Sequence, residues 1–260
     1  MNIRLRFRRI HWILSAQFGI DLVKFFRAIH EIPRYIAVLL RYRTSFTMPF
    51  ECVPCLHDRN REAGATKGEY FWQDLLVARM IFSARPERHV DIGSRIDGFV
   101  AHVASFREIE VFDIRPITTK IPGVIFRQAN LMNPTAAIID YCDSVSCLHA
   151  LEHFGLGRYG DPIDSKGYES GIFNIARILR TDGMLYLSVP VGTERVEFNA
   201  QHVFNPSAIV EVASRNRLAL QAFLLFSPDD GWFETDASPE SLEAAGRKRY
   251  SLGVFLFVKK

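Results

Sequence analysis

Apolar positions near the start of the chain recur every three or four residues. Ile10, Leu14, Phe18, Leu22, Phe25 and Ile29 keep this period, with Ile13 and Phe26 beside them. It predicts one amphipathic helix through Ile29. Pro33 is expected to end that helix, and a second, short apolar helix follows from Arg34 to Arg43. Residues 44–68, rich in Pro, Gly and charge, read as a connector. The expected organisation is therefore a helical leader at 1–68 and an α/β domain at 69–260. A helix from Glu69 to Ser83, carrying Phe71, Leu75, Leu76 and Met80, opens the second part.

After "ARPER" short apolar runs alternate with helical ones. "HVDIG" (89–93), "IEVFDI" (109–114), "GVIFRQA" (123–129), "DSVSCL" (143–148) and "MLYLSVP" (184–190) read as strands. Phe99–Phe106 and the series Tyr168, Ile172, Ile175, Leu179 read as helices. "MLYLSVP" is apolar on both faces, as a central parallel strand should be. A helix near Pro206–Arg215, a strand "LALQAFLLF" (218–226) and a long polar stretch lead to "SLGVFLFVKK". No clear crossover helix precedes that last strand, so it is expected antiparallel. The alternation predicts an α/β fold: a Rossmann-like, doubly wound, mostly parallel sheet of about seven strands with an N-terminal helical extension.

Charge changes the picture of the leader. The chain's formal net charge is only +3, yet residues 1–43 hold nine Lys/Arg against Asp21 and Glu31, leaving the rest acidic. The leader reads first as a helical flap packed on the body, and its basic charge on an acidic body offers an anionic membrane met by residues 1–43 as the alternative. No pattern specific to nucleic acid stands out. No apolar run approaches the roughly 20 residues of a membrane span, and the start lacks a signal-peptide core and cleavage site. Four cysteines favour a reducing compartment, so a cytoplasmic protein is expected, with peripheral membrane contact. Cys52-x-x-Cys55 is only half a zinc site and reads as loop.

Chemistry enters at the strand ends. Asp91-Ile92-Gly93-Ser94 follows a strand and opens a helix, where backbone N–H groups can hold an anionic group. Arg95 and Asp97 stand where small residues would admit a pyrophosphate, which argues against a dinucleotide. Asp113-Ile114 ends the next strand, at about the 20-residue offset from which an acid grips ribose hydroxyls. His149-Ala150-Leu151-Glu152-His153 fits the H-x-x-E-H spacing of one zinc-hydrolase class, but it follows a β run and Gly155 and Gly157 cut it short. His149 or His153 would serve as a general base, and Glu152, His153 and His202 form a candidate set for a divalent metal ion. "GRYGDPID" brings Arg158, Tyr159, Asp161 and Asp164 to a loop suited to selecting a polyol or a phosphate.

These residues resemble the class I S-adenosylmethionine-dependent methyltransferases over roughly residues 70–260. Asp91 and Gly93 match the start of that family's acid-x-Gly-x-Gly-x-Gly turn, though its later glycines are replaced. Asp113 matches its acid after strand two, and "QANLM" (128–132) its adenine-side segment, with Asn130 and Leu131. "CLHALEH" resembles its strand-four exit, and "RILRTDGMLYLSVP" its turn and fifth strand. The exit is also similar to the "E-x-x-E-H" of metal-dependent O-methyltransferases acting on small RNA or quinone precursors, with His149 in place of the first Glu. "HVDIGSRIDGF", "SCLHALEHFGLGRYGDPID" and "SVPVG" resemble an uncharacterised domain family first catalogued from nematode proteins and found in bacteria too. The resemblance implies an S-adenosylmethionine site on Asp91, Ile92, Gly93, Ser94, Asp113, Ile114, Asn130 and Leu131. It implies O-methylation of a small-molecule or glycan hydroxyl, with His149, Glu152 and His153 beside the acceptor. A scaffold that no longer turns over, and the zinc hydrolase, are the alternatives.

Overall fold

The computed structural model describes all residues except 1–2, 46–47, 60, 134–137, 227–232 and 236. The chain divides into two compact units, Met1–Ala65 and Thr66–Lys260.

In the first unit, α1 (Ile3–Trp12) runs into a wide π turn at Ile13–Gln17, and α2 spans Leu22–Ser45. The single helix expected through Ile29 is thus interrupted. Gly19 takes a φ of +70°, which favours glycine, and the Asp21 carboxylate accepts the Lys24 N–H at 2.9 Å to start α2. Pro33, expected to end the helix, lies inside α2 instead. Strong helix formers on both sides carry the helix through it, because proline removes one backbone donor but not the turns around it. Among the described residues, no helix is long and apolar enough to cross a membrane.

In the second unit, α3 (Glu69–Ala84) precedes β1 (His89–Ile92). A kinked turn at Ile96–Val100 leads into α4 (Ala101–Ala104), then β2 (Ile109–Asp113), β3 (Val124–Gln128) and β4 (Cys142–Leu148). Next come α5 (Gly167–Ile178), β5 (Leu179–Val191), a small hairpin of β6 (Arg195–Glu197) and β7 (Gln201–Val203), and α6 (Pro206–Arg215). β8 (Leu218–Phe226), β9 (Phe233–Thr235), α7 (Pro239–Arg247) and β10 (Ser251–Lys259) complete the unit. The main sheet has eight strands in the order β3-β2-β1-β4-β5-β10-β8-β9, and β1 to β5 are all parallel to their neighbours within that group. β10 enters antiparallel between β5 and β8, as the sequence pattern predicts. The short β9 takes the sheet one strand beyond expectation.

Helices cover both faces. Val77 and Ile81 of α3 and Val103 of α4 pack with Leu148, Tyr186 and Val254 on one side. Ile172 and Ile175 of α5, Ile209 of α6 and Leu242 of α7 pack with Val145, Leu187 and Phe255 on the other. Burial on both faces accounts for the continuous apolar runs of β4, β5 and β10. The polar stretch before β10 conceals α7, whose Ser238 side chain accepts the Ser241 N–H at 3.2 Å. The strand order reverses between β1 and β4, and in such sheets the crevice beyond the strand ends at that point is where ligands bind.

Candidate functional site

A cavity of about 560 Å³ opens at that reversal. Its walls include Gly93 and Ser94 after β1, Asp113 to Arg115 after β2, Asn130 and Leu131 after β3, and His149 and His153 after β4. Ile92 and Phe112 add apolar surface, and Tyr70, Arg158, Tyr159 and Gln201 line the same space. Every expected cofactor residue except Asp91 is on this wall.

Asp91 is the exception because its carboxylate is fully buried behind the turn. It accepts the Ser94 N–H at 3.0 Å and the hydroxyls of Ser94 and Ser146 at 2.6 Å each. The Ser94 hydroxyl in turn accepts the Leu148 N–H at 3.1 Å, tying the ends of β1 and β4 together. Because the Ser146 proton points at Asp91, His89 Nε2 must donate to that serine oxygen, at 3.1 Å, leaving His89 Nδ1 to accept from Ser144 at 2.8 Å. Burial pulls the His89 value down to about 3, in keeping with a neutral ring. Burial also pushes Asp91 up to about 7, against its three donors. Asp91 braces the turn; it does not touch what the cavity holds. Gly93 has a φ of +69°, and a Cβ there would come within 2.9 Å of the Ala150 Cβ, so the turn stays close to β4 only with glycine.

Asp113 faces the cavity, but Arg115 holds it. The Arg115 N–H, Nε and Nη2 donate at 2.8, 3.0 and 2.6 Å. A carboxylate offers about four acceptor sites, so little is left for a ribose hydroxyl unless Arg115 shares or yields. Arg115 and Arg158 both stack on the Tyr159 ring, at 4.5 and 5.1 Å from its centroid. Sequence reasoning missed Arg115; its place two residues after Asp113 was the available signal. Asn130 lines the wall while its side-chain oxygen accepts the Met132 N–H at 2.9 Å.

The strand-four exit holds the strongest electrostatic coupling. His149 sits at a φ of +52°, and its Nδ1 meets Glu152 Oε1 at 2.8 Å. Its Nε2 makes no hydrogen bond and faces Glu69 at 3.5 Å. The Tyr250 hydroxyl donates to that same Glu69 at 2.7 Å, and the Tyr70 ring lies 4.6 Å from the imidazole. Burial works against the charged ring, yet Glu152, then Glu69 and Asp74, raise His149 above the ordinary histidine value. Burial likewise opposes ionisation of Glu152, but His149 and His153 hold its carboxyl below the usual range. His153 goes the other way: burial lowers it, opposed by Glu152. Glu152 is buried behind the histidines and does not line the cavity.

As its sequence context predicts, His149 to His153 is not a helix of the hydrolase kind; Leu151–His153 form a single 3-10 turn after a strand. Among the described residues no group of three His, Cys, Asp or Glu is placed to hold a metal ion, while Glu152 Oε2, His153 Nδ1 and His202 Nδ1 are buried without hydrogen-bond partners. His202, on β7, packs its ring against Tyr168 and Phe204. Asp161 lines the cavity and also supports its own loop. Its carboxylate accepts the N–H groups of Gly155, Gly157 and Tyr159 at 2.9, 3.1 and 3.1 Å, so it folds the loop that presents Arg158 and Tyr159.

Comparison with known proteins concerns the fold. Residues 125–213 match the family described as Caenorhabditis protein of unknown function, DUF268. No curated protein matches the chain. Among solved structures, the cyclase SpnF superposes with a TM-score of 0.51 at 13% identity, over 72% of this chain and 81% of its own. A 1,6-didemethyltoxoflavin-N1-methyltransferase from Burkholderia thailandensis, solved with S-adenosylhomocysteine, gives 0.50 at 12%, over 73% and 79%. The N-methyltransferase NodS from Bradyrhizobium japonicum gives 0.50 at 11%, over 72% and 94%. At such identities the likeness concerns the fold, and the cyclase among them shows that this fold does not by itself specify methyl transfer. Residues 125–213 thus carry the match to that uncharacterised family, within a chain whose second unit has the fold of the class I S-adenosylmethionine-dependent methyltransferases.

Proposed function

We propose that the second unit transfers a methyl group from S-adenosylmethionine to a hydroxyl of a small molecule or glycan. One observation carries the reading: the Gly93 turn, Asp113, Asn130 and both His149 and His153 line a single cavity at the sheet's reversal point. The bound cofactor named in the Burkholderia structure supports the choice of group. The residues present fit it. The Gly93–Ser94 turn suits the methionine end, Asp113 the ribose, and Ile114, Asn130 and Leu131 the adenine side.

S-adenosylmethionine would supply a methyl group on a sulfonium, open to in-line displacement. The chain's part is to align the acceptor and take its proton. The acceptor's hydroxyl proton would pass to His149 or His153, which both line the cavity. Glu152 holds the His149 ring through Nδ1 and would stabilise an imidazolium there, while His149 Nε2 is buried without a hydrogen-bond partner. Glu152 is thus a positioning residue. Arg115, Arg158 and Tyr159 at the mouth suit an acceptor with a polyol or anionic group.

Calorimetric titration of S-adenosylmethionine and S-adenosylhomocysteine tests the reading. Binding by the parent, with at least tenfold loss in Asp113→Ala, is expected, since the carboxylate would make charge-assisted bonds to ribose. A folded parent that binds neither compound would leave the scaffold reading.

A further inference from the structure

Methyl transfer leaves the first unit unexplained. Along α2, Leu22, Phe25, Ile29, Ile32, Ile36 and Leu40 are spaced three or four apart and share one face, each 40–58% exposed. Phe26 widens that face, and no residue of α2 is buried. Lys24, Arg27, Arg34 and Arg41 fall on the other side of the helix. The two acids within residues 1–43 are engaged locally, Asp21 as the α2 cap and Glu31 with Arg34 at 3.1 Å. A contiguous exposed apolar stripe of this length marks an interaction surface.

Charge decides among the occupants. A second copy would bring the same basic face, and the positions beside the stripe (Phe26, Ala28, Tyr35, Tyr42) offer no acids to pair with it. A bilayer crossing does not suit α2: it is long enough, but Lys24, Arg27, Glu31, Arg34, Arg41 and Arg43 leave no stretch of it apolar enough. An anionic lipid surface satisfies both faces at once: the stripe enters the acyl boundary while Lys and Arg reach the headgroups. We propose that α2 lies flat on an anionic membrane surface and holds the chain there. Trp12, exposed on α1, is of the residue type that favours the headgroup level.

The test uses the full chain and vesicles of phosphatidylcholine, with or without phosphatidylglycerol. Sedimentation with the anionic vesicles alone is expected, falling sharply at about 0.5 M salt, where the Debye length is a few ångströms. Each Lys or Arg near such a surface is worth about fivefold in partitioning, so Arg27→Gln, Arg34→Gln and Arg41→Gln together should weaken binding roughly 100-fold. Phe25→Ser with Ile29→Ser should abolish it. Unchanged thermal unfolding of the second unit shows that neither variant acts by misfolding the rest of the chain. Equal binding to both vesicle types, or none by the folded parent, overturns the proposal. So does a stable dimer in solution that Phe25→Ser with Ile29→Ser dissociates and the arginine variant does not, because a second copy would then cover the stripe.

Discussion

Asp91 and His149 are both buried ionisable groups at strand ends, and their partners give them different work. Asp91 receives three donors and nothing else, so its role is to fix the turn. Asp91→Asn would set an amide N–H₂ against donors that all point at it. It should destabilise the second unit by about 1–3 kcal/mol, read as a lower denaturant midpoint at unchanged slope. An unchanged midpoint would mean that the network is not formed. His149 and His153 can be told apart by pH. A base works only when neutral, so activity rises as pH climbs through its value. Glu152 and Glu69 raise His149, whereas burial lowers His153. If His149 is the base, the acidic limb of kcat/KM lies above about pH 6.5, and Glu152→Gln moves it downward. A parent limb already below that value would assign the role to His153, which burial lowers. Asp113 and both histidines were legible at this scale from strand-end position, and Asn130 from the resemblance alone. The engagement of Asp113 by Arg115 was not, because side-chain pairing two residues apart depends on a backbone turn that the sequence does not display.

Among the elements, the loop between β4 and α5 depends most on its glycines. Gly155 has a φ of +83°, and a Cβ there would sit 1.9 Å from the Asp164 carbonyl oxygen. Gly155→Ala should therefore cost more than the roughly 1 kcal/mol of an ordinary Gly→Ala change at positive φ, and should loosen the loop carrying Arg158 and Tyr159. Thermal unfolding and proteolysis at 155–164 would check it; wild-type resistance would show that the loop relaxes freely. The elements best read from sequence were those with a clear period and flanking signals. α6 begins at Pro206 behind the Asn205 cap, and β8 spans Leu218–Phe226 as its apolar run predicts. The leader was read less well. Periodicity alone joined Ile10 to Ile29 across Gly19, and Pro33 was given more power to stop a helix than it has between good helix formers. The β6–β7 hairpin and α7 were missed because three-residue strands and a polar helix carry too little apolar period.

Across the whole molecule, both hydrophobic clusters consist of residues from Trp72 onward. A fragment of residues 66–260 should therefore unfold cooperatively and bind S-adenosylhomocysteine with the full chain's affinity, as measured by calorimetry. Loss of cooperative unfolding would show that the first unit completes the fold. The sheet also shows why a degraded glycine motif does not remove the cavity. Strand order and the tie between Asp91, Ser94 and Leu148 shape the crevice, and these persist with Arg95 and Asp97 in place of glycine.

The sequence by itself determined the alternation of strands and helices, the antiparallel last strand, the strand-end positions of the candidate residues and the basic, amphipathic character of the leader. These are local properties, written in apolar period and charge along the chain. Only the tertiary structure decided which strand-end groups share a cavity. It turned Asp91 away from that cavity and gave the Asp161 carboxylate the backbone N–H groups of its own loop. Those outcomes depend on how residues far apart in the chain meet across the sheet, and on the direction each backbone turn gives a side chain; neither is carried by spacing alone.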